Sequence, residues 1–272
     1  MALRGAEGAR ALATLIILGG ACTFRPASIS VGDGAGAPAD GATSDGAEPG
    51  DAAALDAADA GAIAFLDVWP GAASGPSAMT TDAVPHQAGL VYVLDVVTKP
   101  AASIEQVVGM GAIWAPIQEQ CSGRSQQGLH VWIGVGAGQT DRVQVDAAPG
   151  TASVAVAVSR FANVTGVPAT GTLSASNTAG GACTGGVDSD AYSMTISLDG
   201  TSHLHQAVAL RGTDLDAAGD FTERVEVIAG QPGDLAGLTV LDRPAAGATA
   251  LSAAGTFSSA TDWAVALIEL QR

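Results

Sequence analysis

Two histidines, His203 and His205, lie two positions apart in a segment of alternating apolar residues. Because successive side chains of a β-strand point to opposite faces, both imidazoles are expected on the same face. Two imidazoles on one face can bind zinc or nickel when an acidic side chain supplies a third ligand. The sequence does not identify that third ligand, so a solvated strand face without metal is the other interpretation.

Two acidic segments are candidates for a calcium site, because calcium binds carboxylate oxygens. They contain Asp214, Asp216 and Asp220 in one segment and Asp188 and Asp190 in the other. The first segment spaces its carboxylates loosely like a calcium loop, but Val225 stands where an EF-hand has glutamate. Acidic loops that are merely solvated are the alternative. Beyond a metal ion such as calcium, the sequence indicates no cofactor.

Trp132 and His130 share one face of a predicted strand, opposite the aliphatic residues Leu129, Val131 and Ile133. An exposed tryptophan presents a large apolar face that fits the C–H side of a sugar ring. The sequence therefore offers Trp132 and His130 as a ligand-binding pair, for a surface carbohydrate or a protein. Packing of the tryptophan in the core is the alternative.

The signals for catalysis are poor, and no catalytic residue is predicted. The chain has no Gly-x-Ser-x-Gly, His-Glu-x-x-His or phosphate-loop motif. Glu223 and Glu226 are three residues apart, so on a regular strand they face opposite sides and do not form a glycosidase pair. A non-enzymatic protein is expected, and a glycan-acting hydrolase on a β-sandwich scaffold is the alternative.

The first 22 residues have the features of an export signal. Arg4 and Arg10 precede a short apolar stretch, and small residues lead to Cys22. This ending resembles a bacterial lipoprotein signal, which implies a signal peptide over 1–21 and a lipid anchor on Cys22. A secreted protein that is cut elsewhere is the alternative. Since Thr23 rather than aspartate follows the cysteine, the resemblance favours the outer membrane over the inner one.

The cysteine count agrees with this assignment. The chain has 3 cysteines, and a lipid on Cys22 leaves Cys121 and Cys183 to pair in an oxidising compartment. Two free buried thiols are the alternative.

Charge and composition restrict the partners and the domain organisation. The formal net charge is −16 and the sequence pI is about 4.3, so phosphate-mediated binding of nucleic acid is excluded. Residues 22–61 are rich in Ala, Gly and Asp, and they are expected to be a disordered linker or a fraying helix. Nothing in the sequence indicates an oligomeric state.

The remaining residues, 62–272, are expected to form one antiparallel β-sandwich. Apolar runs of strand length recur between turn residues, and no long amphipathic helix intervenes. The segments 129–133, 154–163 and 255–270 resemble strands of jelly-roll domains in secreted bacterial surface proteins. The resemblance implies a two-sheet, lectin-like, all-β fold, and it assigns no functional residue. The sequence as a whole predicts a lipid-anchored envelope protein that binds a surface ligand or has a structural role.

Overall fold

The computed structural model describes residues 29–30 and 61–272, apart from residues 137, 169–170, 179–182 and 199. The predicted signal peptide, Cys22 and most of the predicted linker therefore lie outside the described residues. Within the described part, the chain is built from antiparallel β-strands, and a 3-10 turn spans Gly123–Ser125. No helix in that part has the length and apolar character needed to cross a membrane.

Eight strands form a first sandwich, which we call the first unit. They are β2 (Ala64–Ser74), β3 (Ser77–Met79), β4 (Val91–Lys99), β5 (Ile104–Val108), β6 (Ile113–Cys121), β7 (Gly128–Val135), β8 (Gln144–Ala147) and β9 (Ser153–Ala162). A five-stranded sheet has the order β2-β9-β4-β7-β6, and a three-stranded sheet has the order β3-β8-β5.

Eight further strands form a second unit. They are β11 (Thr172–Ser176), β12 (Ser189–Ser197), β13 (His203–Leu210), β14 (Leu215–Ala218), β15 (Thr222–Ala229), β16 (Ala236–Pro244), β17 (Ala250–Thr261) and β18 (Trp263–Leu270). Their sheets have the orders β11-β18-β13-β16-β15 and β12-β17-β14. Counted from the first strand of each unit, both have the order 1-8-3-6-5 and 2-7-4, a jelly-roll arrangement.

The all-β antiparallel sandwich expected from the sequence is confirmed, but its strands occupy four main sheets instead of two. The reason lies in the central strands β4, β13 and β18, in which every residue is buried. A sheet with one wet face alternates apolar and polar residues, whereas these strands are covered on both faces. Each five-stranded sheet is therefore an inner layer.

The two five-stranded sheets pack face to face, and we call the region between them the seam. One apolar cluster fills the seam with side chains from both units, including Val93, Leu129, Phe161, Leu238 and Ile268. Each unit also has one apolar cluster of its own, which fills the space between its five-stranded and its three-stranded sheet. Successive residues of β4 and β13 thus point alternately into the seam and into their own unit.

A short strand, β1 (Ile29–Ser30), lies within the predicted linker and pairs with β10 (Gly166–Val167). The residues around β10 also bond to the end of the chain, because the Thr165 amide donates to the Gln271 carbonyl over 2.8 Å. β1 and the last residues of the chain therefore meet at one end of the molecule.

Candidate carbohydrate-binding face

The two histidines considered as metal ligands lie buried in the seam instead of on a solvated face. His205 Nε2 is 2.8 Å from Asp95 Oδ2 across the seam, and neither side chain is exposed. His203 pairs with a different aspartate, since its Nε2 atom is 2.7 Å from Asp242 Oδ2. Each imidazole thus has its own aspartate partner, and the two histidines do not share a third ligand.

The acidic segments considered for calcium are not gathered around a common centre. Asp216 lies within β14, Asp220 forms an ion pair with Arg243 and Asp188 forms one with Arg124. Among the described residues, no group of three or more His, Cys, Asp or Glu side chains is arranged to hold a metal ion. The calcium site at Asp214, Asp216, Asp220, Asp188 and Asp190 stays a prediction.

The predicted disulfide is confirmed, since Cys121 and Cys183 are bonded. It joins the last residue of β6 in the first unit to the segment between β11 and β12 in the second. The Ser125 hydroxyl donates to the Cys183 carbonyl over 2.9 Å beside it. The bond therefore fastens the two units to each other at one end of the seam.

Trp132 and His130 lie on the inner face of the first unit, where β6 is the edge strand of the five-stranded sheet. The three-stranded sheet has two strands fewer, and its strand β3 lies against β2 and β9 at the opposite side. Strand β6 and part of β7 therefore project beyond it. Five side chains of these two strands on that face, before the disulfide-bonded Cys121, form what we call the aromatic strip: Trp114, Pro116, Glu119, His130 and Trp132.

The two tryptophans of the strip lie on adjacent strands and are each partly exposed. Trp114 lies over Gly134, where an added Cβ atom would come within 2.7 Å of its ring. Pro116 is the strand partner of Trp132 and is exposed. Glycine at position 134 thus allows the indole to lie flat on the sheet. The Trp132 indole nitrogen is buried without a hydrogen-bond partner among the described residues.

Two polar side chains extend the strip beyond Trp132. Glu119 is the strand partner of His130, and its carboxylate is 74% exposed and 3.9 Å from His130 Nδ1. His130 was predicted as a ligand-binding residue, but its side chain is buried, and its Nε2 atom lies 2.9 Å from the Ala102 carbonyl. Burial lowers the pKa of His130 more than Glu119 and that carbonyl raise it, so the imidazole is neutral at pH 7. A carbonyl only accepts, so Nε2 carries the proton and Nδ1 is an acceptor beside Glu119.

The second unit carries a counterpart of the strip. Both fifth strands have a β-bulge, at Ile117 and at Arg224, and both bulged residues lie opposite the same place in the sixth strand. Matched through these bulges, Phe221, Glu223, Glu226, Thr239 and Leu241 correspond to Trp114, Pro116, Glu119, His130 and Trp132. We call these five residues the acidic strip.

The bulge at Arg224 corrects the prediction that Glu223 and Glu226 face opposite sides. Their strand partners are Leu241 and Thr239, two residues apart on one face, because Arg224 adds an extra residue between them. Burial raises the pKa of Glu226, and the charges of Glu223 and Asp214 raise it further. The pair was missed because a period-two pattern contains no sign of a bulge.

No known protein family, no curated protein and no solved structure matches this chain.

Proposed function

We propose that this protein is a non-enzymatic carbohydrate-binding protein of the bacterial envelope, with the aromatic strip as its binding face. The observation that carries the proposal is the placement of Trp114 and Trp132 side by side on one face of two adjacent strands, where both rings pack against the interior cluster and stay partly exposed. Flat, rigid indoles offer large apolar area at a low cost in side-chain entropy, and they stack on the C–H face of a sugar ring.

The polar groups of the strip complement sugar hydroxyls. Glu119 is an exposed acceptor, while the Nδ1 atom of the buried His130 is a further acceptor and the buried Trp132 indole N–H is a donor, both of which a ligand reaches only if neighbouring side chains move. A buried donor without a partner costs free energy, so a ligand oxygen that reaches it gains more than it would from an exposed donor. A neutral polyol satisfies this set of groups better than an anion, because Glu119 repels negative charge.

The test is a glycan-array screen of the full chain carrying Cys22→Ser, with and without calcium. We expect binding to one class of neutral glycan in both conditions. Trp114→Ala and Trp132→Ala should each weaken binding about 30-fold or more, since central aromatic contacts are worth about 2 kcal/mol. Phe221→Ala, the corresponding change in the second unit, is the matched control and should leave binding unchanged.

A blank array, or binding that survives both tryptophan substitutions, would contradict the proposal and favour a protein-binding or structural role. Binding that requires calcium would favour the acidic segments as the site.

We further propose that Cys22 carries a lipid that anchors the protein, with the outer membrane as its location. Six residues separate Cys22 from β1, which pairs with β10 near the chain end. At about 3.4 Å per residue, the anchor would hold that end of the molecule within about 25 Å of the bilayer. Cys22→Ala should release the protein from the membrane fraction, and full retention of that variant would contradict the anchor.

A glycan-acting hydrolase is the second candidate, and the acidic strip supports it. Glu223 and Glu226 share one face, and the raised pKa of Glu226 suits a general acid. The glycans that bind the protein on the array should be incubated in solution with the wild type and with the Glu226→Gln variant, and new reducing ends should be measured. Cleavage by the wild type that the Glu226→Gln variant lacks would establish a hydrolase. Absence of cleavage by the wild type would favour the non-enzymatic binding function.

A further inference from the structure

Three cationic side chains gather at the end of the seam where β4 and β13 terminate. They are Lys99, the last residue of β4, Arg211, which follows β13, and Arg124 in the loop between β6 and β7. Lys99 is the chain's single lysine and is only 6% exposed. Burial lowers the pKa of Lys99, and the nearby charges of Arg211 and Arg124 lower it further, against Asp234 and Asp262. Lys99 donates to Gln126 Oε1 and Arg124 pairs with both Asp188 and Asp262, so Arg211 is the least neutralised of the three cations.

The buried carboxylate at this place does not fully neutralise Arg211. Asp262 is completely buried and already accepts hydrogen bonds from Arg124 over 2.5 Å and from Asn177 over 2.8 Å. Arg211 Nη1 stays 3.7 Å from Asp262 Oδ2, beyond hydrogen-bond distance, and its side chain is 40% exposed. The planar guanidinium of Arg211 thus retains donors for a further acceptor.

Buried polar atoms without partners lie beside these cations. Ser153, the strand partner of Lys99, is 1% exposed, and its hydroxyl has no hydrogen bond among the described residues. Gln127 is fully buried, and its amide nitrogen donates to the Leu210 carbonyl over 2.5 Å, but its oxygen is unpartnered. Buried polar groups are nearly always hydrogen-bonded in folded proteins, so the Ser153 hydroxyl indicates an acceptor bound beside it, whereas the Gln127 oxygen needs a donor and is not satisfied by an anion.

The loop over this place has a constrained backbone. Arg124 and Ser125 have φ angles of 57° and 52°, the left-handed region that non-glycine residues seldom adopt. The Cys121–Cys183 disulfide and the hydrogen bond from Ser125 to Cys183 hold the loop in place. Strained residues of this kind persist where the surrounding structure fixes them, and they are frequent at ligand sites.

We propose that this end of the seam, between Lys99, Ser153 and Arg211, binds an oxyanion of the carboxylate or phosphate class. An oxyanion accepts from the guanidinium in the bidentate geometry that arginine favours, and it also accepts from the Ser153 hydroxyl. Its charge complements Arg211, the guanidinium that Asp262 does not reach within hydrogen-bond distance. On a strongly acidic protein such a site selects acidic groups that other surfaces repel, and it does not depend on the aromatic strip.

The test is calorimetric titration of the full chain carrying Cys22→Ser with inorganic phosphate and, separately, with glucuronate at pH 7 and low salt. We expect saturable binding of at least one of them. Arg211→Gln should weaken that binding tenfold or more, and Ser153→Ala should weaken it about threefold. Arg142→Gln, an exposed arginine elsewhere, is the matched control and should change the affinity less than twofold.

Preference for glucuronate would identify an acidic sugar as the source of the oxyanion, and preference for phosphate would identify a phosphorylated polymer. Absence of binding by both anions would overturn the proposal. Equal affinity of the Arg211→Gln variant and the wild type would also overturn it, provided that circular dichroism shows both to be folded. None of these outcomes depends on whether the aromatic strip binds neutral glycans.

Discussion

The two units share one topology and one pair of bulges, yet they differ in what they place on equivalent positions. In the first unit, Trp114 lies over Gly134 and stays open to solvent on one side. In the second unit, Phe221 takes the place of Trp114, and the guanidinium of Arg243 lies 5.9 Å from its ring. Arg243 is fixed there by its ion pair with Asp220. All three rings are partly exposed, but the second unit places a cation over its single ring, whereas the first unit places two indoles side by side.

The units also differ on the seam-facing side of the same sheets. The second unit contributes His203, His205 and Asp242, whereas the matching positions in the first unit are Val91, Val93 and Ile133. The first unit contributes a single carboxylate, Asp95, opposite His205. The difference is that the two histidines of the seam belong to the second unit, while the two adjacent tryptophans belong to the first.

The largest effect is expected from the polar contact that joins the units. His205→Ala leaves the fully buried Asp95 carboxylate without a hydrogen bond among the described residues, because its other oxygen is already unpartnered. Leaving a buried carboxylate without its hydrogen-bond partner costs about 3 kcal/mol. For a domain of this size the melting temperature should fall by about 6 to 12 °C in differential scanning calorimetry.

His203→Ala is the matched control, because Asp242 keeps its hydrogen bond from Arg224. A loss as large as that of His205→Ala would mean that the two pairs contribute equally, contrary to the position of Asp95 in the centre of the seam.

Arg224→Gln is expected to make the second unit more sensitive to acid. Burial alone would raise the pKa of Asp242, but hydrogen bonds and charge from His203 and Arg224 outweigh it and lower the pKa. A carboxylate with a lowered folded pKa stabilises the fold above its unfolded pKa, and that stability is lost as the pH falls through the folded value.

Without Arg224 the pKa of Asp242 rises, so the loss begins at a higher pH, and about 1 to 2 kcal/mol is lost at pH 7. Urea unfolding at a series of pH values measures both changes. Arg243→Gln removes an ion pair with the exposed Asp220 and is the control. An unchanged acid profile of Arg224→Gln would show that Asp242 is stabilised by His203 alone.

Comparison with the sequence shows which features a periodic pattern can predict. The alternation of Tyr192 to Leu198 predicts β12 correctly, and counting cysteines predicts the disulfide. The sequence pattern did not reveal that the chain contains two units with the same strand order. The one visible sign is the pattern Gly-Leu-x-Val in the sixth strand of each unit, at Gly128-Leu129-His130-Val131 in β7 and at Gly237-Leu238-Thr239-Val240 in β16. Three matching residues in a window of four are too short a signal without the strand order beside them.

The candidate sites were predictable only in part, because their positions depend on sheet packing. Trp132 was recognised by its type and its strand face, but Trp114 became its neighbour only through the pairing of β6 with β7. His203 and His205 were placed correctly on one face, but the sequence does not show that a second sheet covers that face. The grouping of Lys99 with Arg211 likewise requires the packing of one unit on the other.

Gly134→Ala tests whether the flat position of Trp114 distinguishes the two units. The new Cβ atom would come within 2.7 Å of the indole, so the ring must tilt away from the sheet. We expect glycan affinity to fall about tenfold, which is about 1.4 kcal/mol, with a smaller change in the free energy of unfolding. Calorimetry with the glycan found on the array measures the first quantity, and urea unfolding measures the second. Affinity that is unaffected would remove Trp114 from the binding face.

The smallest effect is expected at the acidic strip, where Glu226→Gln should stabilise the protein slightly. Burial, Glu223 and Asp214 raise the pKa of Glu226, so its ionised form is disfavoured in the folded state. A carboxylate with a raised folded pKa contributes stability below its unfolded pKa, and that contribution is lost as the pH rises through the folded value. Removing the charge should therefore raise stability at pH 7 by a few tenths of a kcal/mol, since the side chain is largely exposed. Glu119→Gln, the corresponding change in the first unit, should not stabilise, because the Glu119 carboxylate is 74% exposed to solvent. Equal melting temperatures for Glu226→Gln and Glu119→Gln at pH 7 would mean that the two strips differ in residue type but not in electrostatics.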